Sequence, residues 1–478
     1  MSADQVEQGR GPFLSDGSIL VELRRCTEGS PVVAASEAAQ ACYSNTTCPS
    51  GKTLDVEGTL FRTGHHTTME HSYFTFVIEG IAIGDVTFGL HLTHPFYNTD
   101  QRSGRFCGEM FSNPDMDRIR SYIETYWPEI GSTLTMACLK HVETGVYYYQ
   151  HHLVEATHLA EVYLEKERPH ATPQLLKNAR KIAQEQLRMF IPIIMPTALH
   201  YTIDLITLLS LWECAWTPVL RSVTELMRRL VVKKFPEVAF AFKEERRLRK
   251  DWSPRCHVLP FMNKVAGLLP KPQVHFAKPE YSSDFPANLL GNAGDKHPVD
   301  RLPFLPGYMN NNQSSVVSAV TVSIATMGQD QRHRTISRSE PVLTGQCYLP
   351  PLLARISGAG AKLQHLMLSW HYLNENLPGP LATLLLPYGA MVRYEKRANV
   401  NALAHEQAKR LCWSAQEEIF HLSLGLRNQL VGRNCPFIDL LEPPCYRTGK
   451  CGEGARYCGR GLSLCGNADK FFGVERTV

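Results

Sequence analysis

Two stretches of this chain follow one pattern, and that repetition constrains the fold more than any other feature. In each, a proline opens a long helical pattern. The first runs from Pro192 through Thr202 to Glu225, then Phe235-Pro236-Glu237. The second runs from Leu386-Pro387 through Asn399, His405 and Arg410 to Ala415-Gln416-Glu417-Glu418-Ile419. Upstream of the second lies Arg332-His333-Arg334-Thr335-Ile336-Ser337. The same frame upstream of the first reads Thr93-His94-Pro95-Phe96-Tyr97-Asn98, where only the histidine is kept. A little further on, Ser103-Gly104-Arg105-Phe106 in the first frame matches Val342-Leu343-Thr344-Gly345 in the second. Each copy retains what the other has lost. Such a chain must set two similar units side by side.

The length, 478 residues, accommodates two or more ordinary domains. Lys233 to Asp251 is rich in charge, and a Pro-, Gly- and Asn-rich stretch follows to Asn312. This places a boundary near residue 245. We read 1–245 as the first repeat, 246–434 as the second and 435–478 as a Cys- and Gly-rich tail. The net charge of +4 is too small for a bulk nucleic-acid binder, so affinity for anions must be local. Residues Met1 to Asp16 lack a basic segment followed by an apolar core, so a cytoplasmic protein is expected. The longest apolar run, Ile191 to Trp212, holds Pro192, Pro196, His200 and Asp204. It predicts a buried helix rather than a membrane span. In a reducing compartment the fourteen cysteines are thiols or metal ligands.

Arg332-His333-Arg334 concentrates hydrogen-bond donors that suit phosphates and carbonyl-rich rings, with Gln329 and Ser337 as neutral polar flanks. A basic surface turn is the plainer reading of the triplet alone. Asn399, His405 and Arg410 fall on adjoining faces of one helix. Gly64-His65-His66-Thr67-Thr68-Met69-Glu70-His71 precedes Tyr73 to Gly80, whose aromatic and β-branched residues predict a strand. A zinc helix of the H-x-x-E-H type would need histidine where Thr67 stands, which argues against a metallohydrolase. His151, His152 and His158 predict a surface helix rather than a metal site.

These pieces, in this order, resemble the flavin-dependent thymidylate synthases. The matching elements are the opening Ala38-Ala39-Gln40-Ala41-Cys42-Tyr43-Ser44, then Gly64 to His71, then a split long motif. Arg332-His333-Arg334 and Ser337 stand in the second half, and Ser103, Arg105 and Phe106 in the first. The helix with spaced Asn, His and Arg is whole only in the second half; the first reads Asp204, Ser210 and Ala215. The resemblance covers residues 18–240 and again 300–440. It implies an α+β fold: two fused units, each a twisted sheet flanked by helices, forming a pseudo-dimer. Two such chains would make a homodimer equivalent to the family's tetramer.

The resemblance further implies FAD, with NADPH and methylene-tetrahydrofolate as co-substrates, and methylation of dUMP at C5. Arg332, His333 and Arg334 would contact the flavin, Arg332 also lying near the pyrimidine. His65, Thr67 and Glu70 would line the flavin site, and Asn399 and His405 would hold its ring system. Arg410 would bind the uracil oxygens and stabilise charge developing there. Ser103, Gly104 and Arg105 would cradle the phosphate, with Gln329 assisting. Arg332, Arg410 and Ser103 are therefore the expected catalytic set. Gln101 replaces the family's acidic residue, and Asn401 replaces an arginine. These departures allow one live site per fused pair. They leave room for another pyrimidine nucleotide such as UMP, or for a relative that binds without turnover. In the tail, Cys445, Cys451, Cys458 and Cys465 are spaced too loosely for a C-x-x-C zinc pattern. Structural zinc, free thiols and disulfides all remain readings of it.

Overall fold

A computed structural model describes residues 11–42, 53–92, 96–104, 107–247, 265–266, 273–277, 315–435, 437–454, 457–473 and 476–478. Arg105 and His94 lie outside the described residues. The strands are β1 (Phe13–Asp16), β2 (Ile19–Cys26), β3 (Tyr73–Ala82), β4 (Asn98–Gln101), β5 (Pro196–Asp204), β6 (Val265–Ala266), β7 (Gln273–Ala277), β8 (Ser315–Ser323), β9 (Ser337–Arg338), β10 (Val342–Tyr348) and β11 (Ala390–Asn399). The main helices are α1 (Pro31–Ala41), α2 (Met116–Tyr126), α3 (Gly131–His151), α4 (Leu153–Glu167), α5 (Ala179–Leu187), α6 (Leu205–Glu213), α7 (Pro218–Lys234), α8 (Ile324–Asp330), α9 (Ala359–Asn376), α10 (Gly379–Leu384), α11 (Val400–Arg410) and α12 (Glu417–Gly432).

Strands and helices form an α+β molecule, with two sheets among the described residues. The first runs β1-β2-β3-β5-β4, and the second runs β6-β10-β11-β8-β7, with β9 also paired to β11. Sequence shows why the cores of the two sheets match. In β3–β5, Tyr73 lies opposite Asp204 and Ala82 opposite Pro196. In β8–β11, Ser315 lies opposite Asn399 and Ser323 opposite Met391. Asp204 and Asn399 each stand twelve residues after Pro192 and Pro387. Each ends its strand and caps the next helix, Asp204 accepting from Thr207 N at 2.7 Å and Asn399 from Ala402 N at 2.8 Å. Short polar acceptors suit that position because the first helical N–H groups lack partners. The flanking strands also correspond, since Asn98 pairs with Thr202 and Ser337 with Arg397.

The two units meet at those prolines. Pro192 and Pro387 bridge directly. Ile193 N donates to Leu386 O at 2.9 Å, and Tyr388 N donates to Ile191 O at 2.8 Å. These two bonds exchange places when the units are swapped, as at a pseudo-twofold axis. One hydrophobic core crosses the seam and includes Ile193 and Leu199 with Leu363, Trp370 and Leu385.

Two expectations are corrected here. Ile191 to Trp212 is not one buried helix, and the pattern from Pro387 to Arg410 is not one long helix. Each is a strand followed by a helix, β5–α6 and β11–α11. In β11 the side chains alternate, with Arg393, Glu395 and Arg397 exposed and Tyr394, Lys396 and Ala398 buried, which is the period of a strand. Tyr73 to Gly80 is a strand as read, extended to Ala82. His151 and His158 are exposed, but His152 is buried and its Nε2 lies 3.0 Å from Lys362 Nζ of α9. No described helix is long and apolar enough to cross a membrane.

Candidate active site

A cleft of about 310 Å³ opens where the units meet. Gln101, Arg102, Ser103 and Gly104 reach it from the end of β4, and Arg188 and Glu185 from the end of α5. The second unit supplies Gln329, Arg332 and Arg410. Four guanidiniums thus face one carboxylate, Glu185, so the cleft is strongly cationic on a nearly neutral chain. His91 also lines it. Burial, then the charges of Arg332 and Arg334, push its pKa down to about 3 and keep it neutral.

Arg410 closes α11 and is held on two sides. Its Nε donates to His333 Nε2 at 3.0 Å, and its Nη2 donates to Gln329 O at 2.8 Å. A ring nitrogen that accepts from a guanidinium carries no proton, so His333 is the Nδ1–H tautomer. Burial and the Arg410 charge together hold the His333 pKa well below the usual histidine value. The His405 ring meets it edge-on at 5.8 Å. Gln329 also bonds Gln416, which accepts from Arg188 Nη2 at 3.2 Å. Behind it, Glu418 accepts from Ser323 N at 2.7 Å and Thr326 Oγ1 at 2.6 Å, which fixes α12 against α8. At Gly104 a Cβ would stand 2.6 Å from the Phe111 ring, so close packing there requires glycine.

Beyond Arg332 and Arg410 lies a second cavity of about 630 Å³. Arg332, His333, His405, Lys409 and Arg410 form one wall, and Pro443, Cys445, Cys451 and Glu453 of the tail form another. Arg334 points elsewhere. Its guanidinium lies 5.0 Å above the Tyr97 ring and its Nη2 donates to Asn98 Oδ1 at 3.3 Å, beside a third cavity of about 440 Å³.

Among the expected site residues, Ser103, Gly104, Gln329, Arg332 and Arg410 share the first cleft, and Arg332, His333, His405 and Arg410 share the second. Asn399 is buried and caps α11 rather than lining either one. His65, Thr67 and Glu70 are exposed on or beside the short turn His66–His71 and line none of these cavities. Sequence reasoning missed Arg188, Glu185 and His91. It also missed the charges under the Arg-His-Arg turn: Asp330, Arg338, Lys396 and Glu406.

Among the described residues, no group of three or more His, Cys, Asp or Glu is arranged to hold a metal ion. Cys445, Cys451 and Cys458 instead line an apolar cavity of about 20 Å³ with Cys412. Packing on the main body orders the tail. Phe471 and Phe472 join Trp413 and Phe420 in one cluster, and the Arg460 guanidinium lies 4.4 Å from Trp413 and 4.2 Å from Phe471. All described cysteines are free thiols.

Residues 23–237 match the family model described as thymidylate synthase complementing protein. Among solved structures, thymidylate synthase X from Helicobacter pylori with FAD and dUMP is 16% identical, with a TM-score of 0.30. The match covers 48% of this chain and 99% of that one. A UMP/dUMP methylase, PolB from Streptomyces cacaoi, bound with 5-Br UMP, is 19% identical with a TM-score of 0.32, covering 49% of this chain and 97% of that one. Comparison with curated proteins gives no match.

Proposed function

We propose, from the match of residues 23–237 to the thymidylate synthase complementing protein model, that the chain belongs with the flavin-dependent thymidylate synthases and methylates a uracil nucleotide at C5 in one cleft shared by two unequal units. The observation that carries this reading is the composition of the cleft. Ser103 and Gly104 come from one unit and Gln329, Arg332 and Arg410 from the other, around a space sized for a small ligand.

The cationic end with Arg188, Arg102 and Ser103 suits a phosphate, because charge-assisted bonds from guanidinium are strong and directional. Arg410, its plane set by His333 and Gln329, suits the uracil carbonyls, where a fixed donor stabilises negative charge as C5 becomes nucleophilic. Neutral His333 serves that purpose, since a second positive charge there would repel the guanidinium.

Residues present fit a flavin as well. The 630 Å³ cavity adjoins the cleft through Arg332 and Arg410 and offers His333, His405 and Lys409 toward the carbonyl oxygens of the flavin ring and its phosphates. Bound there, FAD would supply the hydride, drawn from NADPH, that completes methyl transfer from methylene-tetrahydrofolate. His65, Thr67 and Glu70 are exposed and outside the cavities, so on this reading a second copy of the chain supplies them. Methylation of UMP is the second reading. Gln101 leaves room for it, because a neutral amide stands in the cleft where the family has an acid.

Release of tritium from C5-labelled dUMP, beside labelled UMP, with FAD, NADPH and methylene-tetrahydrofolate, tests both. Release from dUMP that vanishes in Arg410→Ala supports thymidylate synthesis. Release from UMP alone selects the second reading. Silence with both nucleotides, from folded protein, overturns the proposal.

A further inference from the structure

We infer that Arg338 is a positioning residue for the Arg332-His333-Arg334 turn and, through it, for Arg410. The inference deepens the functional reading above and rests on it. Residues 331–336 form no regular element; Gln331 and Ile336 are buried, while Arg332, Arg334 and Thr335 are exposed, so the backbone of the turn has no ladder to hold it. Arg338 holds it from within. Its Nε donates to Asp330 Oδ2 at 2.7 Å and its Nη2 to Asp330 O at 2.5 Å. Its Nη1 donates to His333 O at 3.0 Å and Ile336 O at 2.8 Å. One planar fork therefore spans both ends of the turn.

The fork is anchored in turn. Asp330 also accepts from Tyr394 OH at 2.8 Å and Lys396 Nζ at 2.7 Å, and Lys396 reaches Glu406 Oε1 at 2.7 Å. Arg338 and Lys396 thus face two buried carboxyl groups, Asp330 and Glu406, of which burial raises the pKa of Glu406. Burial works against charge on Asp330, but Arg338 and Lys396 outweigh it and hold its carboxyl well below the usual range. Glu406 lies on α11, which carries Arg410, and Tyr394 and Lys396 lie on β11, the strand that leads into it. The network thus fixes the turn relative to Arg410, and His333 Nε2 closes the circuit by accepting from Arg410 Nε.

Lysine at 338 would retain a charge for Asp330 but could not reach oxygens on both ends of the turn. The test compares Arg338→Lys and Arg338→Met with the wild type in the full chain. Amide hydrogen exchange over 327–338 is read without ligand. FAD affinity is read by fluorescence quenching, dUMP and UMP affinities by titration, and Tm in parallel. We expect Arg338→Lys to keep a near-wild-type Tm, to exchange faster in the turn and to bind FAD and nucleotide about tenfold or more weakly. Arg338→Met should lose at least as much affinity. Unchanged exchange in the turn overturns the inference. So does faster exchange with unchanged affinities, or an affinity loss that merely follows Tm and is equal in both variants. If the wild type itself binds neither flavin nor nucleotide, the functional reading is what fails, and exchange in the turn still decides whether Arg338 holds it.

Discussion

Arg188 sits at the start of an apolar run, Met189 to Met195, and nothing in its neighbourhood marks it for function. The fold turns it into the cleft, 7% exposed, with its guanidinium 5.4 Å from the Tyr388 ring. Placed there, it should bind the phosphate. A charge-assisted bond contributes about 1.5–3 kcal/mol, so Arg188→Ala should raise the KM for a nucleoside monophosphate about 10- to 100-fold. Binding of the nucleoside without phosphate should change little; equal losses for both would remove Arg188 from that role. Gln329, Arg332, His333 and Arg410 were legible from the sequence because they belong to ordered motifs. Arg188 and Asp330 were not, because their roles depend on residues more than fifty positions away, such as Gln416 and Lys396.

Helix α3 is tied to the other unit by one buried side chain. His141 Nδ1 lies 3.0 Å from Ser369 Oγ of α9, and its Nε2 lies 2.9 Å from Leu385 O just beyond α10. Burial pushes its pKa down to about 4, against an ordinary value of 6.5. Below pH 6.5 the unfolded chain takes up a proton here that the folded protein refuses until about pH 4. Stability from this group is therefore complete above pH 6.5 and declines as pH falls, by up to about 1.4 kcal/mol per pH unit. His141→Gln should be less stable at pH 7 yet show a flatter fall in Tm between pH 6.5 and 4.5; parallel curves would exclude the linkage. At this scale the sequence misled at two strands, β5 and β11, both read as helix. Arg393, Glu395 and Arg397 face solvent along β11, and such long polar residues read as one face of a helix. The buried partners that make it a central strand, on β8 and β10, are distant in sequence. The strand at Tyr73 was legible because its own residues are aromatic and β-branched.

Two units share one core, so the smallest working piece is the whole chain or more. Their matched registers and capping residues follow the split motifs seen in the sequence. Where the sequence reading placed all flavin contacts in one site, the structure leaves His65, Thr67 and Glu70 apart from the cavities. A second copy would close that gap. Arg332→Ala and Glu70→Ala should each abolish activity, and mixing the two denatured proteins and refolding them should restore about a quarter of the wild-type rate, because only mixed dimers regain one whole site. A mixture as inactive as its components would show that no site is shared between chains.

The bridge between Pro192 and Pro387 joins in one chain two surfaces that a symmetric pair would present as copies. In a symmetric pair every substitution is inherited twice, once on each side of the axis. Here each is inherited once. Asp204, Ser210 and Ala215 can therefore differ from Asn399, His405 and Arg410 with no matching change across the axis, and each half brings to the cleft what the other lacks, Ser103 and Gly104 from one and Gln329, Arg332 and Arg410 from the other.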